Sequence, residues 1–240
     1  MAKRAARKTV RKPAPRSART AASTLQTDRE KIIAAFLAIL EDKPFAAIGF
    51  DDIAQRSGLS LAQVRGEFAS TFAVLAAYVK ATDRAVLAQD MHDMSEEPAR
   101  ERLFDVLMRR LEVLTEQRNA VRSLLRSSRS NPPLALALNG LAVRSQQWML
   151  TAAGINASGP QGMIRAQGLA LLFASVLRTW VDDDDPGQER TMAALDRALA
   201  RGQRAVGLLG DLCAIPSRLC GLRSRRRRRS RGDSQETAAA

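Results

Sequence analysis

Five consecutive arginines, residues 225–229, form the most chemically distinctive run in the chain. Guanidinium groups in series attract phosphate-bearing polyanions such as DNA, RNA or anionic lipid. The same run also suits a solvated tail that only keeps the protein soluble. The other end has a similar character: residues 1–25 hold eight Lys or Arg and no acid. Residues 216–240 hold eight Arg against Asp233 and Glu236, so the net charge of +13 lies in the two ends and residues 26–215 carry −1. Polyanion contact through either end would therefore be salt-sensitive and says little about a folded surface. The four aspartates 182–185 could bind a cation, but no further ligands stand near them at a recognisable spacing. Capping fits them better: Asp185 would cap a following helix, with Pro186 at its first position and Gln188 closing a capping box. Cys213 and Cys220 match no zinc or thioredoxin-type spacing and read as reduced thiols. His92 is the only histidine. With no glycine-rich phosphate loop, nucleophile elbow or metal motif, neither an enzyme nor a bound metal or cofactor is expected.

These groups need a scaffold, and the hydrophobic pattern predicts an all-α one. With 240 residues and 45% hydrophobic content the chain can build a real core. Aromatics make up only 4%, so aliphatic side chains must fill it. No apolar run reaches the roughly 18 residues of a membrane span, and no secretory signal follows the basic start, so a cytoplasmic protein is expected. Residues 1–25, with Pro13, Pro15 and almost no large apolar side chain, are expected to form a disordered basic arm. Their Arg-rich, acid-free composition is shared with organellar transit peptides, but the prolines and the missing apolar face argue against one.

Helical periodicity begins at Thr27, whose spacing to Glu30 is that of a capping box. Ile32, Phe36 and Leu40 then form one apolar face, and Lys43-Pro44 ends the helix. Residues 50–57 read as a short helix with Ile53 and Ala54 inward. Gly58-Leu59 makes a turn, and Ser60 caps a second short helix, with Gln63 at the capping-box position. Ser70 opens a long helix running to about Met91. Pro98 starts another, with Leu103, Leu107, Leu111 and Leu114 inward, and a short one spans about 118–127. Asn131-Pro132 begins a helix with Leu134, Leu138, Leu141 and Trp148 on one side. After a loop at 154–159, the next carries Leu169, Leu172, Phe173, Val176, Leu177 and Trp180, and opposite them a small-residue stripe of Ala166, Ala170 and Ala174. The last has Met192, Leu195, Leu199, Gly202, Val206 and Leu209 at alternating steps of three and four, a seam suited equally to an intrachain core or an intersubunit bundle.

Residues 27–78 resemble the DNA-binding head of the TetR family of transcriptional regulators. The resemblance rests on FDDIAQRSGLS, residues 50–60, between the first helix and the aromatic Phe68 that precedes the long helix. Ile53-Ala54 matches the family's buried pair, Gly58 its turn glycine, and Leu59-Ser60 the start of its recognition helix. It implies a three-helix helix-turn-helix head over 26–80, a helical dimerisation and ligand-binding body over 81–212, and an Arg-rich disordered tail over 213–240. It implies further that residues 60–68 enter the major groove, with Gln63 suited to adenine and Arg65 to guanine. Ser60, Lys43 and Arg56 would meet phosphate. Glu67 brings a negative charge to a place where phosphate would lie, and residues 43–80 carry only four basic against three acidic residues.

The function implied is that of a homodimeric transcriptional regulator, in the repressor sense, binding double-stranded DNA and answering to a small apolar ligand. The ligand pocket is expected around Leu107, Trp148, Phe173 and Trp180, and the dimer interface around Leu195, Leu199, Gly202 and Val206. The alternative is a protein of the same fold that has lost specific DNA binding and holds a lipid or isoprenoid, as in ubiquinone biosynthesis. The basic ends leave contact with an anionic membrane open beside contact with nucleic acid.

Overall fold

The computed structural model describes residues 27–89 and 96–204; expectations for the two basic ends, for His92, Cys213 and Cys220, and for Val206 and Leu209 lie outside them. The described residues are helical throughout, with no strand among them.

Helix α1 (Asp28–Asp42) starts at the Thr27–Glu30 capping box: the Thr27 hydroxyl accepts the Glu30 amide at 3.3 Å, and the Glu30 carboxylate accepts the Thr27 amide at 2.9 Å. Its face of Ile32, Phe36 and Leu40 is buried. Helix α2 (Phe50–Ser57) has no hydroxyl at its start. Instead the Asp52 carboxylate accepts the Gly49 amide at 3.1 Å. Gly58 ends α2 at φ +70°, the left-handed region where a Cβ is strained. Ser60 then caps α3 (Leu61–Glu67), and Ser70 caps α4 (Thr71–Leu87). Ile32, Phe36, Ile53, Val64, Phe68 and Leu75 close one apolar core between these four helices.

Helices α5 (Ala99–Leu114) and α6 (Arg118–Arg129) are nearly continuous, joined by a tight 3-10 turn at Thr115–Gln117. Helix α7 (Pro132–Ala152) turns back into α8 (Gly159–Trp180), and these two pack extensively against each other. A final helix, α9, occupies 189–204. Leu103, Leu107, Leu111, Met149, Phe173, Trp180 and Leu195 form the second core. The head core is not confined to residues 26–80. Ala120, Leu124, Leu138 and Leu141 pack into it from α6 and α7, and the Ser127 hydroxyl accepts the Phe45 amide at 3.1 Å. Tyr78, midway along α4, touches both cores.

Three local expectations are corrected. Ala166 and Ala170 are buried within the body, not ranged opposite its core, so the small side chains bring α8 close to its neighbours. Trp148 is 58% exposed, and Met149 takes the inward place on α7 because one residue turns the helix by about 100°. The helix after the aspartates starts at 189, not at Pro186. The fully buried Asp183 carboxylate accepts both the Thr191 amide at 2.9 Å and its hydroxyl at 2.6 Å, while Asp185 accepts the Glu189 amide at 3.2 Å. These bonds fasten the start of α9 beyond the place that the Pro186 spacing suggests.

Candidate nucleic-acid interface

The turn at Gly58 sets α3 across α2, and Val64 and Phe68 anchor it to the head core. Lys43, Arg56, Ser60, Gln63 and Arg65 are all exposed on this head. Their chemical freedom differs. The Lys43 ammonium sits 2.6 Å from the Asp52 carboxylate. That contact, with the Gly49 amide second, holds the Asp52 carboxyl below the ordinary aspartate range. The Ser60 hydroxyl accepts the Gln63 amide at 3.3 Å. The Gln63 side chain is committed on both sides: its carbonyl oxygen accepts the Ser60 amide at 3.0 Å and hydroxyl at 2.8 Å, and its NH2 donates to Asp28 at 3.2 Å. Gln63 thus closes the cap of α3 and ties it to α1, so a base edge would have to displace those bonds. Among the described residues no carboxylate pairs with Arg56 or Arg65, which leaves Arg65 as the free cation of α3.

Glu67 is neutralised. Arg29 of α1 lies 3.5 Å from its carboxylate and 4.6 Å above the Phe68 ring. The adverse charge expected on this helix is therefore met from within the head. Sequence reasoning passed over Leu61, which opens α3 at 57% exposure. It also passed over the bare backbone beside it. Ala62 carries only a methyl group, and the space in front of Gly66 is open. An exposed leucine directly after a helix cap was the available signal. Leu61 suits a thymine methyl, and the bare stretch allows close approach of the helix backbone.

In the body, Leu107, Phe173 and Trp180 lie in one packed core, but Trp148 does not join them. It lines an open groove of about 710 Å³ with Gln147, Thr151, Pro160 and Met163 at the α7–α8 turn. The body interior also holds a polar centre. Arg110 is ion-paired with Asp83, Ser145 donates to the same carboxylate at 2.7 Å, and the guanidinium lies 5.7 Å from the Phe173 ring centroid. Burial pushes the neighbouring Tyr78 hydroxyl above the usual tyrosine range.

Two residues of the expected dimer seam, Leu195 and Leu199, pack inside the chain, while Val206 lies outside the described residues. Leu195 is 0% and Leu199 6% exposed, and a Cβ on Gly202 would meet Leu172 of α8 at 3.3 Å. Among the described body residues, large apolar side chains that face solvent are Leu136 and Trp148 on α7, Met163, Ile164 and Leu171 on α8, and, less fully, Leu87 on α4 and Met192 on α9. Along α8, Ile164, Gly168, Leu171, Ser175 and Arg178 are all exposed at alternating steps of four and three, the spacing of a helix-packing seam.

No family model and no curated protein matches the chain. Solved structures do. A TetR transcriptional regulator from Nitrosomonas europaea superposes with a TM-score of 0.58 at 20% identity, covering 74% of this chain and 99% of that one. A putative TetR-family regulator from Syntrophomonas wolfei gives 0.53 at 14% identity, over 73% of this chain and 93% of the other. A TetR regulator from a Rhodococcus species gives 0.50 at 17%, over 73% and 94%. The match extends over nearly the whole length of these proteins: the chain has the fold of the TetR transcriptional regulators.

Proposed function

We propose that this protein is a DNA-binding transcriptional regulator of the repressor type, acting as a homodimer and released by a small, mainly apolar ligand. The observation that carries the reading is the outer face of α3. There Arg65, without an ion partner among the described residues, stands beside Leu61 and the bare backbone at Ala62 and Gly66, held rigid by the Ser60–Gln63 cap. A short helix with one free guanidinium and an exposed leucine suits insertion into a major groove, where guanine and thymine edges match those groups. The exposed seam on α7 and α8 suits a second copy, which would set two recognition helices on one duplex. The ligand would lodge in the body where α4, α5, α7 and α8 meet, with Leu107 and Phe173 near the Asp83–Arg110–Ser145 centre.

The test is selection of duplex from a random-sequence library by the full chain, followed by affinity measurements on the selected duplex. Enrichment of a motif whose affinity falls in Arg65→Ala supports the reading. Absence of any enriched motif overturns it. That outcome favours the second reading, a lipid or isoprenoid carrier of the same fold. The acidic balance of the head, six Lys or Arg against seven Asp or Glu over residues 27–80, is the observation on that side.

A further inference from the structure

The ion pair inside the body has hydrogen-bonding capacity to spare. Asp83 of α4 pairs with Arg110 of α5, and Ser145 of α7 donates its hydroxyl to the same Asp83 oxygen at 2.7 Å. On the other side of the pair the groups are open. The Arg110 Nε–H is buried without a hydrogen-bond partner, and so is the Tyr78 hydroxyl of α4. The two are neighbours: burial pushes the Tyr78 hydroxyl up, and the Arg110 charge works against that push. Buried polar atoms in folded proteins are nearly always hydrogen-bonded, so two open donors at one centre call for an acceptor. The groove beside Trp148 has no counterpart, because none of its lining side chains holds a buried polar atom without a partner.

The charge of the centre decides which acceptor it takes. The Asp83 carboxylate and the Arg110 guanidinium cancel. A carboxylate or phosphate placed beside them would leave a negative excess out of water, and an ammonium would leave a positive one; either is costly. A carbonyl oxygen adds no charge and has two lone pairs, one for each open donor. Around the centre the lining is apolar. Leu107, Leu111, Met149 and Phe173 belong to the same core, and the guanidinium lies 5.7 Å from the Phe173 ring centroid. The Arg110 and Asp83 side chains keep 7% and 11% of their surface accessible, so the centre is not sealed.

Resting on the reading that the body holds a small, mainly apolar ligand, we propose that this ligand is an uncharged carbonyl compound, a ketone or ester with an aliphatic chain. Its oxygen accepts from the Arg110 Nε–H and the Tyr78 hydroxyl, and its chain lies among Leu107, Leu111 and Met149. Asp83 is a positioning residue. It holds the guanidinium and cancels its charge, which sets the centre against anions.

Tyr78 is the only tyrosine in the chain, which gives the site its own probe. The full chain is prepared with fluorotyrosine, and fluorine NMR is recorded with straight-chain methyl ketones (hexanone, decanone and tetradecanone), with the carboxylates of the same lengths and with the parent alkanes. At least one ketone should shift the Tyr78 resonance saturably and bind about tenfold more tightly than its carboxylate or alkane. In titration calorimetry Tyr78→Phe should weaken that ketone about fivefold and leave the alkane unchanged. Asp83→Asn, checked for folding by circular dichroism, should turn the preference toward the carboxylate, because the Arg110 charge is then uncompensated. Trp148→Ala should leave ketone binding as it is. A carboxylate bound more tightly than the ketone by the unmodified chain overturns the proposal. Undiminished ketone binding in Tyr78→Phe overturns it, as does loss of that binding in Trp148→Ala, which would place the ligand in the open groove. If no ketone gives a saturable shift, the open donors serve buried water alone and the proposal falls. None of these results touches the reading of α3, which stands or falls with duplex selection. A chain that binds the ketone at Tyr78 and selects no duplex motif keeps this proposal and overturns the regulator.

Discussion

Arg65 and Gln63 stand two residues apart on α3 and have been given different work. Arg65 has no ion partner among the described residues, so its guanidinium is available to a base edge. Arg65→Ala should therefore cost about 1–3 kcal/mol of specific duplex binding and relax preference at one base pair, read by competition with mutated duplexes. Gln63 is held by Ser60 and Asp28, and its removal takes away a cap as well as any base contact. Gln63→Ala should lower the unfolding midpoint in urea as well as affinity, whereas Arg65→Ala leaves the midpoint alone. Asp183 is the other residue whose chemistry is structural. The Thr191 hydroxyl first, and the Thr191 and Asp185 amides after it, hold its carboxyl below the ordinary aspartate range despite burial. A depressed folded pKa adds stability above the unfolded value of about 3.9 and loses it as pH falls through the folded value. Asp183→Asn should therefore unfold at a lower temperature than the parent at pH 7. The gap should close as the pH is taken below the aspartate range.

At the scale of elements, the α2–α3 turn and α4 do most to position the head. Gly58 sits at φ +70° with nothing within 4 Å of a Cβ placed there. Gly58→Ala thus meets only backbone strain, about 1–2 kcal/mol in urea denaturation, and misaligns α3 without a clash. Helix α4 runs from the head core through Tyr78 to the buried Asp83–Arg110 pair. That pair fastens α4 to α5, and Ser145 adds α7. Removing one partner strands a buried charge, so Asp83→Ala should destabilise the protein by about 3–5 kcal/mol. Asp83→Leu combined with Arg110→Met should recover much of that loss. Full loss in the double variant would show that the pair contributes net stability beyond its own desolvation.

At the scale of the whole molecule, the exposed apolar face bears on the proposed homodimer. Leu136, Trp148, Met163, Ile164 and Leu171 face solvent on one helical hairpin. Exposed apolar side chains gathered on one face suit contact with another protein surface. On the proposed homodimer through this face, Ile164→Glu with Leu171→Glu should give a monomer in sedimentation velocity where the parent sediments as a dimer, with little change in thermal stability at low concentration. A monomer should also bind a two-half-site duplex far more weakly than the parent. No helix among the described residues is long and apolar enough to cross a membrane.

The sequence by itself determined the local elements. The Thr27–Glu30 and Ser60–Gln63 boxes, Gly58, and the face of Ile32, Phe36 and Leu40 are local signals, set by hydrogen bonds and periodicity within a few residues, and the structure has them where the spacing puts them. The resemblance of residues 50–60 to the TetR head implied the fold that these elements build. What only the tertiary structure decided is which charges and faces remain free. Lys43, Glu67 and Gln63 are taken by Asp52, Arg29 and Asp28, partners that lie 9, 38 and 35 positions away. Leu195 and Leu199 have the spacing of a seam, but a seam does not say whose helix it meets; here the body core took them. Trp148 and Met149 differ by one position and by opposite faces. Burial and pairing depend on contacts between distant segments, and no periodicity along the chain encodes which of several compatible partners arrives first.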